Sequence, residues 1–188
     1  GAFPTQYWSK GTVEGWEGIS AESLIERCNV VSSACPHCFM ACGKISEVKE
    51  GRHRGLRIMG PQYETIYAFG GLCMVKSIEE IIYLNDLCDR LGMDTITAGN
   101  LAAFAIEASK SRKIKDKLYY GDADGIAEVL IKIAYRKGVG RILSEGVRSA
   151  AEKWGMEEKA IHVKGLEPAG FDPRVLKGMG LAYATSDR

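Results

Sequence analysis

The sequence predicts a mainly α fold, on three observations. Apolar residues recur at helical spacing over residues 77–91, 95–113, 122–137 and 142–154. Capping residues mark the ends of several runs, with Ser20 and Asp94 placed as N-caps and Gly92 as a C-terminal stop. Few segments alternate as strands do, and residues 160–163 are the weak candidate.

Taken in order, residues 1–20 are rich in glycine and aromatics without a period, and read as an irregular lead-in segment. Ser20 then opens a helix to about residue 29, with Leu24, Ile25 and Cys28 at helical spacing. Residues 46–57 are polar, carry Gly51 and Gly55, and predict a surface hairpin or loop. From Ser77 a helix runs with Ile81, Leu84, Leu87, Cys88 and Leu91 on one stripe. A second starts at Asp94 or Thr95 and continues through Leu101, Phe104, Ala105 and Ala108. The third covers 122–137 with Ile126, Val129, Leu130, Ile133 and Ala134 as its apolar face. A Gly-Val-Gly turn leads to a fourth over 142–154, and Asp172-Pro173 predicts the N-cap and first position of a last helix-like run.

The 188 residues are ample for a hydrophobic core, and 46% hydrophobic with 26% charged is a globular balance. A net charge of +1, with both signs interspersed, gives no footprint for nucleic acid or an anionic membrane. No apolar run approaches the roughly 20 residues that span a bilayer, and the first residues do not form a signal peptide. No nucleic-acid or membrane partner is expected, and the expected location is cytoplasmic. The absence of an initiating methionine and the abrupt close on Thr185, Ser186, Asp187 and Arg188 suggest a segment of a longer protein.

Of six cysteines, Cys35, Cys38 and Cys42 crowd into one window as C-x2-C-x3-C. Three thiolates this close can reach different irons of one cubane, and thiolate is the soft donor that iron–sulfur clusters and zinc select. Pro36 and Gly43 help to bend the chain there, but no fourth cysteine is near. Two alternatives stand beside an iron–sulfur site. A zinc-binding helical module lacks a second matching pair. A Cys-Pro-His-Cys thiol–disulfide oxidoreductase would leave Cys42 unused and needs a βαβ context that the sequence does not offer. Cys28, Cys73 and Cys88 read as inert core thiols, Cys88 on its helical stripe above all. His37, His53 and His162 are poor site candidates. Taken alone, Asp89 suits a surface pairing, Asp94 an N-cap and Glu64 a solvated carboxylate.

Four motifs occur in order: Cys35-x2-Cys38-x3-Cys42; Gly60-Pro61-Gln62-Tyr63-Glu64-Thr65; Asp89-Arg90-Leu91-Gly92-Met93-Asp94-Thr95; and Gly178-Met179-Gly180-Leu181-Ala182-Tyr183-Ala184-Thr185-Ser186. Together they resemble the C-terminal, helical part of the tungsten- or molybdenum-pterin aldehyde ferredoxin oxidoreductase family, over nearly the whole chain. The resemblance implies oxidation of an aldehyde to a carboxylate, with electrons passed through a 4Fe-4S cluster to ferredoxin. It implies that Cys35, Cys38 and Cys42 are cluster ligands. Asp89, Gly92 and Met93 are then a D-x-x-G loop against a tungstopterin or molybdopterin, and Glu64 a catalytic acid/base beside the metal. Residues 1–20 would lead in from a missing N-terminal domain. Residues 21–165 would form the helical domain with the cysteine cluster and D-x-x-G motif, and 166–188 would begin a following helical domain. The fourth cluster ligand, a second D-x-x-G motif and the β-rich pterin-binding domain would come from the remaining domains of the parent, a possible homo-oligomer. The E-x-x-H iron pair of some members has no counterpart here, since Tyr83 stands near the expected acidic ligand. The isolated chain is therefore expected to be inactive.

Overall fold

The computed structural model describes residues 2–187, with side chains from Phe3 onward. Strands β1 (Ala2–Thr5) and β2 (Lys10–Thr12) form an antiparallel ribbon. A 3-10 turn, Trp16–Ile19, leads to helix α1 (Ala21–Arg27). Ser20 caps α1 as the sequence predicts, its hydroxyl accepting from the Ser23 amide at 3.2 Å. The helix stops earlier than expected, because Cys28 already belongs to strand β3 (Cys28–Ser33). That strand pairs antiparallel with β4 (Gly43–Val48), from Cys28↔Val48 to Ser33↔Gly43. The 46–57 region is indeed a hairpin, returning into β5 (Arg57–Met59), which completes a three-stranded meander.

Beyond a cis Gly60–Pro61 bond, the short helix α2 (Tyr63–Thr65) runs straight into a π-helical stretch, Ile66–Leu72, whose side chains from Tyr67 to Leu72 are buried. Helix α3 (Ile78–Leu91) is the long strut beside it. The Ser77 side chain accepts from the Glu80 amide at its start, and Gly92 ends it at φ 68. There the Gly92 amide reaches the Asp89 carbonyl and the Met93 amide the Cys88 carbonyl, the paired bonds of a left-handed C-cap. Asp94 then caps α4 (Thr95–Lys110) by accepting from the Thr97 amide at 2.8 Å.

Asp122 caps α5 (Ala123–Ala134) through the Gly125 amide at 3.0 Å. The single helix predicted over 142–154 is two, α6 (Gly140–Leu143) and α7 (Val147–Trp154). Gly146 separates them at φ 89 and ψ 165, a backbone that no helix contains. The strand predicted over 160–163 reduces to one bridge, Val163 to Leu166. The last run also differs. Arg174 takes both oxygens of Asp172, the chain makes only a turn there, and α8 (Lys177–Thr185) starts further on.

Two apolar clusters organise these elements. The larger joins the π-helical stretch, α3, α4, α5 and α7 with the lead-in segment, which buries Tyr7, Trp8, Val13 and Ile19 rather than remaining irregular cover. Alanines 98, 102, 103, 105 and 108 leave α4 narrow enough for helices to close on it from several sides. At Gly99 even a methyl is excluded, since a Cβ would lie 2.5 Å from the Ala68 Cβ and 2.8 Å from its carbonyl carbon. The smaller cluster places Leu24, Cys28, Val48 and Ile58 against Ile78 and Ile82 of α3. α3 therefore carries the helical core on one face and the meander on another. No helix among the described residues is long and apolar enough to cross a membrane.

Candidate functional site

The meander exists to hold a loop. Ser33 pairs with Gly43, so residues 34–42 leave and rejoin one hairpin end, and this loop contains all three clustered cysteines. Its chain turns sharply: the Cys38 amide donates to the Cys35 carbonyl at 3.0 Å, and His37 and Ala41 adopt φ 63 and φ 45. Cys35, Cys38 and Cys42 are exposed free thiols, whereas Cys28, Cys73 and Cys88 are buried. Burial pushes the Cys88 thiol up to about 12, with Asp89 and Asp94 adding to the effect, and raises that of Cys73 as well. Those thiols stay protonated and unreactive, as core cysteines do.

Among the described residues no three His, Cys, Asp or Glu side chains are gathered as a metal cage. The donor set of the loop nonetheless fits an iron–sulfur corner, because three accessible soft ligands lie on one tethered segment. The loop runs from one strand into another with no helix following Cys35, so a dithiol-exchange motif lacks the helix N-terminus that would depress its first thiol.

A second constellation forms where α2 meets the α3–α4 junction. The Thr65 and Thr95 hydroxyls lie 2.9 Å apart and tie the two helices side by side. Glu64, half-buried, accepts the Gly170 amide on Oε2 at 2.7 Å, while neighbouring Tyr63 donates its hydroxyl to the Gly170 carbonyl at 3.1 Å. Two adjacent side chains thus grip both polar groups of one distant peptide residue. Phe171 rests on the Tyr63 ring at 5.4 Å between centroids. Gly170 cannot carry a side chain, because a Cβ would lie 2.7 Å from Cγ of the buried Tyr67 ring.

Burial raises the Glu64 carboxyl above its ordinary value. The Gly170 amide opposes this and the nearby Asp94 reinforces it. Asp89, exposed on the last turn of α3, is raised first by partial burial and then by Asp86, with the Asn85 amide at 2.9 Å opposing. Gly92 is exposed and open on all sides, with nothing within 4 Å of a Cβ built there, and Met93 follows it half-buried. The structure therefore brings Glu64 to the α3–α4 junction, beside Asp94 and within one helix end of Asp89. Asp94 serves as the helix cap the sequence assigns it.

Sequence reading missed the partners supplied by residues 167–171. Glu167 accepts the Val147 amide at 2.8 Å, supplying the N-cap that α7 lacks locally, and its other oxygen receives the Thr97 hydroxyl at 3.4 Å. Gly170 is separated from Glu64 by 106 positions. No short-range pattern could have announced either. Of the three histidines, His37 lies in the thiol loop between Cys35 and Cys38, and the other two stand apart from both constellations. His53 stacks on Tyr83 at 4.6 Å with Nε2 3.0 Å from a Glu80 oxygen, and His162 accepts the Gly165 amide.

This helical architecture, with a hairpin-borne loop at one side, has a counterpart among solved structures. It overlays the active-site complex BamBC of benzoyl coenzyme A reductase with a TM-score of 0.71, over 88% of this chain and 26% of that one, at 22% identity. The overlay establishes a shared fold. The chain belongs to the aldehyde ferredoxin oxidoreductase family: the family model for domains 2 and 3 matches residues 1–188. It is 31% identical over its whole length to the tungsten-containing aldehyde ferredoxin oxidoreductase of Pyrococcus furiosus, and 32% to that of Thermococcus kodakarensis. It is also 33% identical over 69% of its length to a P. furiosus aliphatic sulfonate oxidoreductase, WOR-like subunit. The chain spans about a third, 32%, of the two aldehyde-enzyme relatives.

Proposed function

We propose that this chain is the part of an aldehyde:ferredoxin oxidoreductase that holds three cluster thiolates and one side of a tungstopterin or molybdopterin, so that its parent oxidises aldehydes to carboxylic acids. The observation that carries this reading is the Thr65–Thr95 hydroxyl contact, which sets Glu64 beside the junction bearing Asp89, Gly92 and Met93. The relatives' names favour tungsten as the metal.

When bound, the metal–pterin centre and 4Fe-4S cluster would supply two-electron oxidation and single-electron delivery to ferredoxin. Cys35, Cys38 and Cys42 would hold the cluster through their thiolates, with the fourth ligand from the remaining domains of the parent. Asp89 would supply a carboxylate acceptor for N–H groups of the pterin, and Gly92, without a side chain, would leave the backbone open beside it. Two protons and two electrons leave the hydrated aldehyde as it becomes the acid, and Glu64 would accept one of those protons while the other passes to water. Its Oε2 is held by Gly170, which leaves Oε1 to take the proton, and burial raises its affinity for that proton above the ordinary carboxylate value. On this reading residues 1–20 lead in from a preceding domain, 21–165 form the cofactor-binding domain, and 166–188 begin the next.

The test uses the full-length parent and follows aldehyde-dependent reduction of a viologen dye. Glu64→Gln should lower turnover by about 100-fold or more, the usual size of a general-base contribution, with metal content unchanged. An undiminished rate removes Glu64 from the chemistry. The isolated chain should give no turnover, and an aldehyde-dependent rate from it alone would contradict the need for the other domains.

A further inference from the structure

A pocket of about 430 Å³ lies on the far side of residues 168–174 from Glu64, a size suited to a single-ring or short-chain molecule. Tyr67 separates the two sites: its ring fills the space beside Gly170, lies edge-on to Trp8 at 6.0 Å, and its hydroxyl donates to the Pro168 carbonyl.

The pocket has an apolar body and a cationic mouth. Trp8, Pro173 and Ile161 supply the apolar walls. Three consecutive residues, Gln6, Tyr7 and Trp8, adopt φ 49, 45 and 66 to present that wall. Such strained backbone persists only where its surroundings hold it. Here the Gln6 and Tyr7 amides bond to the Gly71 and Leu72 carbonyls, and Arg174 donates to the Trp8 carbonyl.

Three cations face two carboxylates around the opening, leaving one positive charge. Lys110 lies 2.6 Å from Glu107, and Arg174 is paired through Nε and Nη2 with Asp172. Lys159 is the least satisfied, with its ammonium 3.0 Å from the Ser111 hydroxyl and 3.9 Å from Glu107. Tyr7 lines the same pocket, its hydroxyl accepts from the Ile161 amide, and its own hydrogen has no acceptor among the described residues. Tyr7 is only 7% exposed, and burial keeps its phenol protonated, so a donor is held ready deep in the pocket.

We propose that this pocket binds a small apolar monocarboxylate, with the carboxylate between Lys159 and the Tyr7 hydroxyl and the hydrocarbon body against Trp8 and Pro173. An ammonium held only at 3.9 Å from Glu107, together with one neutral donor, matches the charge and acceptors of a single carboxylate, whereas a dianion would leave charge uncompensated in a wall of low polarity. The assignment does not depend on the redox chemistry, because none of its residues belongs to the thiol loop or the Glu64 site.

Benzoate is the probe, titrated into the chain while amide and indole resonances are followed by NMR. Saturable shifts should centre on residues 6–9 and 159–163. Neutral benzamide, of the same shape, should bind at least tenfold more weakly, and Lys159→Glu should weaken benzoate at least tenfold while Tyr7→Phe weakens it less. Exposed Lys159 tolerates replacement, and the benzamide comparison needs no variant at all. Absence of saturable shifts, shifts centred elsewhere, or equal affinity for benzamide would overturn the assignment.

Discussion

The Glu64 carboxylate accepts the backbone amide of Gly170 at 2.7 Å, across 106 positions of sequence. This bond fixes which oxygen is free, and with the Tyr63 hydroxyl on the Gly170 carbonyl it ties a short helix to the segment lying over it.

Glu64→Gln should separate stability from activity. The folded-state affinity of Glu64 for its proton is raised, so ionising it opposes folding. Stability from this group is full below the ordinary carboxylate range and falls as pH rises through that range to the elevated folded value. Glutamine keeps an acceptor for Gly170 and carries no charge. The variant should therefore match or exceed the wild type in urea midpoint at pH 7 and lose that margin at pH 4. A midpoint well below wild type at pH 7 would contradict the burial cost assigned to the carboxylate.

Gly170→Ala should destabilise through crowding alone. The added methyl meets the buried Tyr67 ring at 2.7 Å, and such overpacking costs about 1–3 kcal/mol. Equilibrium denaturation reads the loss, and the activity of the parent should fall with it as the Glu64 clamp shifts. Gly99→Ala, pressed on Ala68 backbone at 2.8 Å, should cost a similar amount without a direct effect on the clamp.

Asp94 and Asp89 should part company. Asp94→Ala removes a helix cap and should cost about 1 kcal/mol, largely restored by Asn. Asp89→Ala takes the acceptor from the buried Asn85 amide and should cost about 1 kcal/mol, a loss largely avoided in Asp89→Asn. In the parent only Asp89→Ala should lower pterin content, measured after release of the cofactor. Equal pterin content in both variants would argue against Asp89 as a ligand.

Cys38→Ser should be silent in stability, since its side chain is exposed on a loop. After anaerobic reconstitution with iron and sulfide, the wild-type parent should show broad thiolate-to-iron absorption and a reduced-cluster EPR signal, and the variant should lose both. Stoichiometric zinc with no iron signal in the wild type would favour the zinc-binding alternative.

The helical part of this fold is legible because its signals are local. Asp94 and Gly92 announce their caps within one turn of the helices they bound, and the stripe from Ile81 to Leu91 names its own buried face. The meander is less so, because β3 buries only Cys28 and β4 only Ser46 and Val48, and the pairing of Cys28 with Val48 is decided by distant sequence. The four-motif resemblance named the thiol loop and Glu64. It could not supply Gly170, whose role is defined by a Tyr67 ring and two side chains far away. Asp172-Pro173 opens only a turn, because the carboxylate accepts the Arg174 amide as a cap does but helix α8 begins at Lys177.

The hairpin that ends at the Ser33–Gly43 pair has one more consequence. A chain that must gather ligands from a free coil loses conformational entropy over every intervening residue, and that loss grows with loop length. Here both ends are already pinned by a sheet docked on α3, so ligation restricts only residues 34–42 and leaves the helical core untouched. Assembly and loss of a metal group at this loop can proceed as a local event on a finished scaffold, thermodynamically uncoupled from the folding of the rest.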